Sequence, residues 1–247
     1  MDPLYTKSHI REALDPAPST PSEDFHWLAG APPEVVARVR ATLTTRRTPA
    51  AVLVPLVERA DGMTVLLTQR ATTLKDHAGQ ISFPGGRIEP EDADAWHAAL
   101  REAYEEIGLR PELVEFAGYL PDHIVISGFR VTPVVGFVKP EYQLRIAAAE
   151  VHDVFEVPLD FVLDAGNHKS RQRKIGELTI DIHDIPYGER NIWGATAGML
   201  MTLRQRLQTR ALPGRNASGG FSTRSPSRTA WDAPGRCSRC EGAARKV

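Results

Sequence analysis

Apolar and polar positions along the chain alternate between the period of a strand and that of a helix. Two β-branched runs, AAVLVPLVE (50–58) and MTVLLTQR (63–70), flank the turn-like RADG and predict a β-hairpin. Residues 92–107 carry an apolar strip at helical spacing, and Gly108 follows where a left-handed cap is favoured. The first half of the chain is therefore predicted to contain a hairpin followed by a helix.

The same periods predict the remaining elements. Helices are expected at 32–43, at 158–164 and from Trp193 to Gln208, and strands near LVEFAGYL (113–120), HIVISG (123–128), VTPVVGFVK (131–139) and KIGELTIDI (174–182). Strands and helices mix without strict βαβ alternation. The expected fold class is therefore α/β in the α+β sense, with a mixed β-sheet between helices.

Composition changes at both ends of the chain. Residues 11–24 are rich in Pro, Ser and acid, and from Leu212 the chain is rich in Gly, Ser and Arg without an apolar period. We therefore expect one domain at 25–210, a flexible leader at 1–24 and a disordered tail at 211–247. Cys237 and Cys240 form a CxxC in that tail, but zinc would need two further ligands nearby and the sequence offers none.

Charge and hydrophobicity narrow the classes of function. With 42% hydrophobic residues among 247, the chain can bury a core, and 30 basic against 31 acidic residues give no electrostatic case for nucleic acid or a membrane surface. The expected partner is a small molecule. No apolar run reaches the ~18 residues of a membrane span, and no signal peptide opens the chain, so a cytoplasmic location is expected. A homodimer is compatible with the sequence, which does not set the oligomeric state.

Three glutamates crowd one turn of the helix predicted at 92–107. Glu102, Glu105 and Glu106 are spaced i, i+3 and i+4, so they share one face and need a counter-ion. One interpretation is a solvated helix face. The other uses FPGG (83–86), whose glycines let backbone carbonyls approach an ion. Carboxylates and carbonyls are the hard oxygen ligands that Mg²⁺ or Mn²⁺ takes together with substrate phosphates. This pattern favours metal-dependent phosphate chemistry.

The stretch from Gly86 to Leu109 resembles the Nudix box, G-x5-E-x7-R-E-U-x-E-E-x-G-U, in which U is apolar. The matching positions are Gly86, Arg101, Glu102, Ala103, Glu105, Glu106, Gly108 and Leu109. Gly86 and Arg101 stand one residue further apart than in the pattern, and Asp92 takes the place of its first glutamate. The resemblance implies that Glu102, Glu105, Glu106 and the carbonyl of Gly86 hold Mg²⁺ or Mn²⁺. It also implies that Arg101 orients a glutamate through a bidentate pair.

A second resemblance concerns the residues before the box. LLTQRATTLKDHAGQISFPGG (66–86) resembles the signature of the coenzyme A pyrophosphatase branch of Nudix proteins, L-L-T-x-R-[SA]-x3-R-x3-G-x3-F-P-G-G, with Lys75 in place of an arginine. The longer box also resembles this branch, as do SGFRVTPVVGF (127–137) and NIWGATAGML (191–200). The likeness to this branch spans Ala50 to Leu207.

These resemblances imply roles for several residues. Arg70 and Lys75, with Gly85 and Gly86, would bind the substrate's phosphates, although a structural ion pair is the other interpretation of Arg70. Glu150 matches a loop glutamate that many Nudix proteins place near the metals, as a ligand or as the general base; it could also be an exposed loop acid. From their positions alone, His77 is expected to bond the loop in a structural role or else to touch the substrate, and Trp193 to pack in the core or else to face the pantetheine arm.

The implied activity is metal-dependent hydrolysis of the diphosphate of coenzyme A, its thioesters or its oxidised forms. The products would be 3′-phospho-AMP and 4′-phosphopantetheine or its derivative. Two alternatives remain open. One is a Nudix pyrophosphatase acting on another nucleoside diphosphate derivative, such as ADP-ribose or a modified nucleotide. The other is a non-catalytic Nudix-fold binding module, against which the three intact glutamates argue.

Overall fold

The computed structural model describes residues 5–18, 33–34, 37, 47–73, 77–125, 128–175 and 178–210. They all lie within a unit that spans Met1–Pro213. The helices are α1 (Lys7–Ala13), α2 (Ala95–Ile107), α3 (Leu159–Leu163) and α4 (Gly194–Arg210). The strands are β1 (Thr48–Arg59), β2 (Gly62–Arg70), β3 (Ile81–Ser82), β4 (Gly85–Arg87), β5 (Val114–Tyr119), β6 (His123–Ile124), β7 (Phe129–Val138), β8 (Val151–Pro158), β9 (Lys169–Ile175), β10 (Leu178–Tyr187) and β11 (Arg190–Trp193).

The larger sheet is mixed. Its central order is β3-β2-β1-β7-β5, and β4, β6 and β8 pair with β1, β7 and β2 respectively. Strands β1 and β7 run parallel from Thr48 opposite Phe129 to Val57 opposite Val138, whereas the other pairings are antiparallel. Strands β1 and β2 meet at Arg59 opposite Gly62, which confirms the predicted hairpin.

Strand β1 buries both of its faces. Successive side chains of a strand point to opposite sides of the sheet. Ala51, Leu53 and Val57 pack towards α2, while Val54 and Leu56 pack towards α1, α3 and α4. Both leucines are fully buried, and burial of such a side chain stabilises the fold by about 2 kcal/mol. The mixed sheet between helices that the sequence predicted is confirmed.

A smaller antiparallel sheet has the order β11-β10-β9. Ile185 and Ile192 are fully buried and attach it to the core beside α4. Arg190 Nη2 lies 2.5 Å from Asp153 Oδ2 and so ties this sheet to β8. Within the described ranges, none of the helices combines the length and the apolar character that crossing a bilayer requires.

The N-terminal leader was expected to be flexible, but the structure contains a helix there. Thr6 caps α1, and Ile10, Ala13 and Leu14 are buried against the sheet and α4. Their i, i+3 and i+4 spacing is an apolar stripe that the composition of the segment concealed. Asp15 then forms an isolated bridge with Tyr119.

Other expectations differ at their boundaries. Helix α2 begins at Ala95 instead of residue 92, because the side chain of Asp94 accepts a hydrogen bond from His97 N and caps it. Strand β8 was not predicted. The helix expected at 32–43 lies outside the described residues except at 33–34 and 37, and Lys75 and the tail from 211 with its CxxC lie outside them entirely.

Candidate active site

Helix α2 directs Glu102 and Glu106 at strand β4, beside the apolar face that packs on the rest of the sheet. Ala98, Ala99, Ala103 and Ile107 are buried against the sheet, and Gly108, with φ of 69°, ends the helix in a left-handed cap as predicted. Glycine adopts this left-handed backbone conformation at little cost because it has no Cβ. Glu106 is only 4% exposed in spite of its charge. Burial of an unpaired carboxylate is costly, so this position calls for a compensating positive group.

Glu102 lies directly over Gly86. A Cβ atom added to Gly86 would come within 2.4 Å of Glu102 Oε1 and 2.7 Å of Glu102 Oε2. Strand β4 is held in place by its antiparallel pairing with β1, in which Gly86 stands opposite Ala51. Only a residue without a side chain leaves room for the carboxylate at this point, so Gly86 and the Glu102 carboxylate are in direct contact, and we call this pair the cradle.

Glu106 reaches the neighbouring glycine. Its Oε2 accepts a hydrogen bond from Gly85 N at 3.2 Å. Burial, together with the nearby charges of Glu102 and Glu150, raises the pKa of Glu106 to about 8, against the lowering effects of Gly85 N–H and Arg70. Burial likewise raises the pKa of Glu102. A bound cation would favour the ionised form of both carboxyl groups.

Arg101 organises the carboxylates, but its bidentate partner is not a glutamate as predicted. Its Nε and Nη2 donate to the two oxygens of Asp92 at 3.0 and 2.9 Å. Its Nη1 donates to Glu102 Oε1 at 3.0 Å and to Glu105 Oε2 at 3.2 Å. Hydrogen bonds from Arg101 hold the pKa of Asp92 below its usual value. Asp92 thus orients the guanidinium of Arg101. The sequence alone presented Asp92 only as a departure from the Nudix box.

The three glutamates are not equivalent. Glu102 and Glu106 point to the glycine pair, whereas the Glu105 side chain is 56% exposed and reaches the site through Arg101. In the described part of the chain, no group of three or more His, Cys, Asp or Glu side chains already stands at metal-holding distance. Instead, the carboxylates accept hydrogen bonds from Arg101 and from Gly85 N. The donor set of buried carboxylates over a glycine cradle fits a hard divalent cation, which would replace those contacts.

Strand pairing brings Arg70 and Glu150 to the same place. Ala71 N donates to Glu150 O at 2.8 Å, just beyond a register shift between Gln69 and Arg70 in the β2–β8 pairing. The exposed Glu150 lies close enough to Glu102 and Glu106 to raise the pKa of both. Arg70 Nε is buried and has no hydrogen-bond partner among the described residues. A buried donor of this kind is a ready anchor for an anionic ligand.

Two further candidates lie beside the signature loop. His77 has a φ of 58°, and its Nδ1 shares a hydrogen bond of 2.8 Å with Gln80 Oε1, so it contacts the loop itself. Trp193 ends β11, is half-buried, and lies 5.5 Å from the guanidinium of Arg171.

Comparison with known proteins places this geometry in a family. The model of the NUDIX domain matches residues 47–178. A protein of Citrobacter koseri named "Uncharacterized Nudix hydrolase NudL" is 42% identical over 172 residues, which cover 68% of this chain and 86% of that relative. The chain belongs to the Nudix family. The protein of the same name from Escherichia coli (strain K12) is 42% identical over 168 residues, covering 66% and 84%.

This Nudix hydrolase is also similar to solved structures at low identity. The Nudix hydrolase RenU of M. smegmatis is 20% identical with a TM-score of 0.43, covering 69% of this chain and 92% of that one. A MutT/nudix family protein from Enterococcus faecalis is 18% identical with a TM-score of 0.46, covering 66% and 63%. The Nudix fold that the resemblance implied is confirmed by the family match. Nudix hydrolases generally need divalent metal ions.

Proposed function

We propose that this Nudix hydrolase cleaves the diphosphate of coenzyme A, its thioesters or its oxidised forms, releasing 3′-phospho-AMP and 4′-phosphopantetheine or its derivative. The observation that carries the proposal is the position of the signature loop. Strand β2 ends at Arg70, whose buried Nε lacks a hydrogen-bond partner in the described ranges, and the loop returns through β3 to the glycines beneath the carboxylates. The described ends of the stretch that resembles the branch signature therefore lie next to residues that resemble the box, which supports the proposal.

Different side chains of the chain would bind the metal, bind the diphosphate and position the carboxylates. Glu102, Glu105, Glu106 and the carbonyl of Gly86 would hold Mg²⁺ or Mn²⁺, which neutralises charge on the diphosphate and lowers the pKa of a bound water when present. Arg70 binds a diphosphate oxygen through the donors of its guanidinium. Arg101, aimed by Asp92, keeps the Glu102 carboxylate over Gly86. Lys75 joins Arg70 by resemblance alone, because it lies outside the described residues.

Hydrolysis adds one water across the anhydride. The water oxygen bonds to one phosphorus, the bridging oxygen departs with the other phosphate, and the water gives up a proton. Glu150 is the proposed acceptor of that proton, because it is exposed beside Glu102 and Glu106 while its backbone is fixed by Ala71. The three glutamates of α2 are left as metal ligands.

Product analysis tests the substrate. Purified protein is incubated with coenzyme A, ADP-ribose and 8-oxo-dGTP, each with Mg²⁺, with Mn²⁺ and with chelator, and products are separated by chromatography. Metal-dependent release of 3′-phospho-AMP from coenzyme A, in preference to cleavage of the other two, is the expected result. Preferred cleavage of ADP-ribose would refute the branch assignment, and tight binding without cleavage of any substrate would identify a non-catalytic module.

Variants test the role of Arg70. Arg70→Gln removes the charge and leaves a shorter polar side chain, so the KM for coenzyme A should rise about tenfold or more. Arg110→Gln changes an exposed arginine beyond the cap of α2 and should leave KM unchanged. An equal KM for the two variants would show that Arg70 does not bind the substrate.

A further inference from the structure

The last turn of α2 is bonded to residues 145–150, a segment that we call the base loop. The final four carbonyl groups of a helix have no partner within the helix itself. In α2, two of these carbonyl groups accept hydrogen bonds from the base loop. Arg145 N donates to Ile107 O and Ala147 N donates to Glu106 O, both at 2.8 Å. The base loop thus completes the end of the helix that carries the glutamates.

The base loop ends at Glu150, the proposed proton acceptor, and this end is bonded as well. Glu150 N donates to Ala147 O at 2.9 Å, and Glu150 O accepts from Ala71 N at 2.8 Å. Ala71 follows Arg70, the last residue of β2. The backbone of Glu150 is therefore connected to that of Glu106 through a single residue, Ala147, and to β2 on its other side.

Gly108 leaves room for the close approach of the base loop to α2. A Cβ atom added to Gly108 would lie 2.9 Å from Arg145 N, 2.9 Å from Arg145 Cβ and 3.2 Å from Arg145 Cα. Two of these three are backbone atoms, so a side chain at position 108 would push on the backbone of the loop. The φ of 69° alone does not demand glycine, because asparagine also adopts the left-handed conformation. The contact with Arg145 is therefore a second reason for glycine at this position.

We propose that Gly108 is a positioning residue for hydrolysis: it lets the base loop lie against α2 and so sets where the Glu150 carboxylate stands relative to Glu102 and Glu106. Glu150 lies close enough to both glutamates for its charge to act on them. A misplacement of about 1 Å can lower a catalytic rate about 100-fold, so the contacts that fix the loop affect kcat. The inference rests on the proposed function, because it requires that Glu150 take part in hydrolysis.

Gly108→Asn tests the close approach, because asparagine tolerates the left-handed conformation but adds a Cβ. Normal contact needs roughly 3.5 Å, so the backbone at Arg145 would have to shift by about 0.5 Å. We expect kcat to fall about tenfold or more, while KM and the Kd for Mn²⁺, measured by calorimetric titration, stay within about twofold. Gly188→Asn is the matched control, because Gly188 has a φ of 58° and an added Cβ would meet none of the described residues beyond its chain neighbours within 4 Å. It should change none of the three quantities.

A double-mutant cycle separates an effect through Glu150 from a general disturbance. Glu150→Gln removes the proposed proton acceptor, so adding Gly108→Asn to it should lower kcat no further. Equal fractional losses of kcat in the two backgrounds would overturn the proposal, as would a wild-type kcat in either single variant. A weaker affinity of Gly108→Asn for Mn²⁺ would also overturn it, because the helix carboxylates and not the base loop would then have moved.

Hydrogen exchange provides a test that needs no variant to fold. In the wild type, the backbone amides of Arg145 and Ala147 should exchange as slowly as those in the last turn of α2, because they donate to the carbonyl groups of that turn. Exchange at the rate of an open loop would show that the base loop is not held against the helix, and the proposal would fall.

Failure of the proposed function would be visible separately. If the wild type cleaves ADP-ribose or 8-oxo-dGTP in preference to coenzyme A, the substrate assignment falls, and the cycle is run on the preferred substrate with the same expected outcome. If the wild type cleaves coenzyme A and the losses of kcat are additive, the positioning role of Gly108 falls and the substrate assignment stands. Absence of cleavage of all three substrates would refute both proposals.

Discussion

The substitution Gly86→Ala would put a methyl group where the Glu102 carboxylate lies. The new Cβ would stand 2.4 Å from Glu102 Oε1, 2.5 Å from its Cδ and 2.7 Å from its Oε2. Van der Waals contact needs roughly 3.5 Å, so the carboxylate must withdraw by about 1 Å. The carboxylate ends a flexible side chain, whereas the backbone of β4 is fixed by its pairing with β1. The glutamate is therefore the group that moves.

The expected consequences for catalysis and for stability differ in size. A displacement of about 1 Å in a catalytic constellation can lower the rate about 100-fold, which corresponds to about 2.7 kcal/mol of transition-state stabilisation. Gly86 does not have a positive φ, so alanine is compatible with its backbone conformation. The free energy of unfolding should stay within about 1 kcal/mol of the wild type, because alanine also reduces the entropy of the unfolded chain.

The assay compares metal-dependent kcat/KM with urea unfolding for the same preparation. Gly166→Ala is the control, since the atoms nearest to its Cβ would be those of the Asp164 side chain, the first at 3.3 Å, in a turn after α3. It should change neither quantity appreciably. If Gly86→Ala keeps the wild-type kcat/KM, the position of the Glu102 carboxylate over Gly86 does not matter for catalysis, and the reasoning is refuted. A loss of stability above about 2 kcal/mol would show that the backbone, and not Glu102, absorbs the clash.

Three further outcomes follow from single contacts. Gly85→Ala should lower the free energy of unfolding by several kcal/mol, on the order of 3, as measured by urea unfolding. The reasons are that the new Cβ would lie 2.4 Å from the Ala51 carbonyl oxygen and that the φ of Gly85 is 155°. Asp92→Asn should reduce kcat/KM about 10-fold or more, because it releases the guanidinium of Arg101. Asp92→Glu should keep most of the wild-type kcat/KM. Unchanged kinetics in Asp92→Asn would contradict the positioning role of Asp92. Burial raises the pKa of Glu156, but hydrogen bonds from arginine, threonine and tyrosine outweigh it and lower the pKa. The stability that Glu156 adds is thus present above its unfolded pKa and lost as the pH falls through its folded pKa. Glu156→Gln should cost about 2 kcal/mol at pH 7, and that difference should shrink between about pH 5 and pH 3; a pH-independent difference would refute the assignment.

Local patterns predicted the elements in which neighbouring residues determine structure. The β1–β2 hairpin followed from alternation around a turn, and α2 from its apolar strip and Gly108. The resemblance to the box placed Glu102 and Glu106 in one site, and the structure brings both to the glycine pair. These features depend on spacing along the chain, which the sequence displays directly.

Contacts between distant segments could not be read in the same way. Asp92 stands nine positions from Arg101 and becomes its bidentate partner only because the segment before α2 folds back onto the helix. Helix α1 is short, and its apolar residues Ile10 and Ala13, with Leu14 at its C-cap, gain partners only through tertiary contact. Strand β8 mixes charged and apolar residues, and its pairing with β2 determines its conformation.

The contact between α1 and α4 has a consequence for synthesis of the protein. Arg206 Nη2 lies 2.9 Å from Asp15 Oδ2, and the two helices pack together although about 180 residues separate them. A ribosome that adds about 5–20 residues per second needs on the order of 10–40 s to make that interval. During that time Ile10 and Leu14 lack the surface of α4. The nascent chain thus carries uncovered apolar side chains at α1 until α4 emerges.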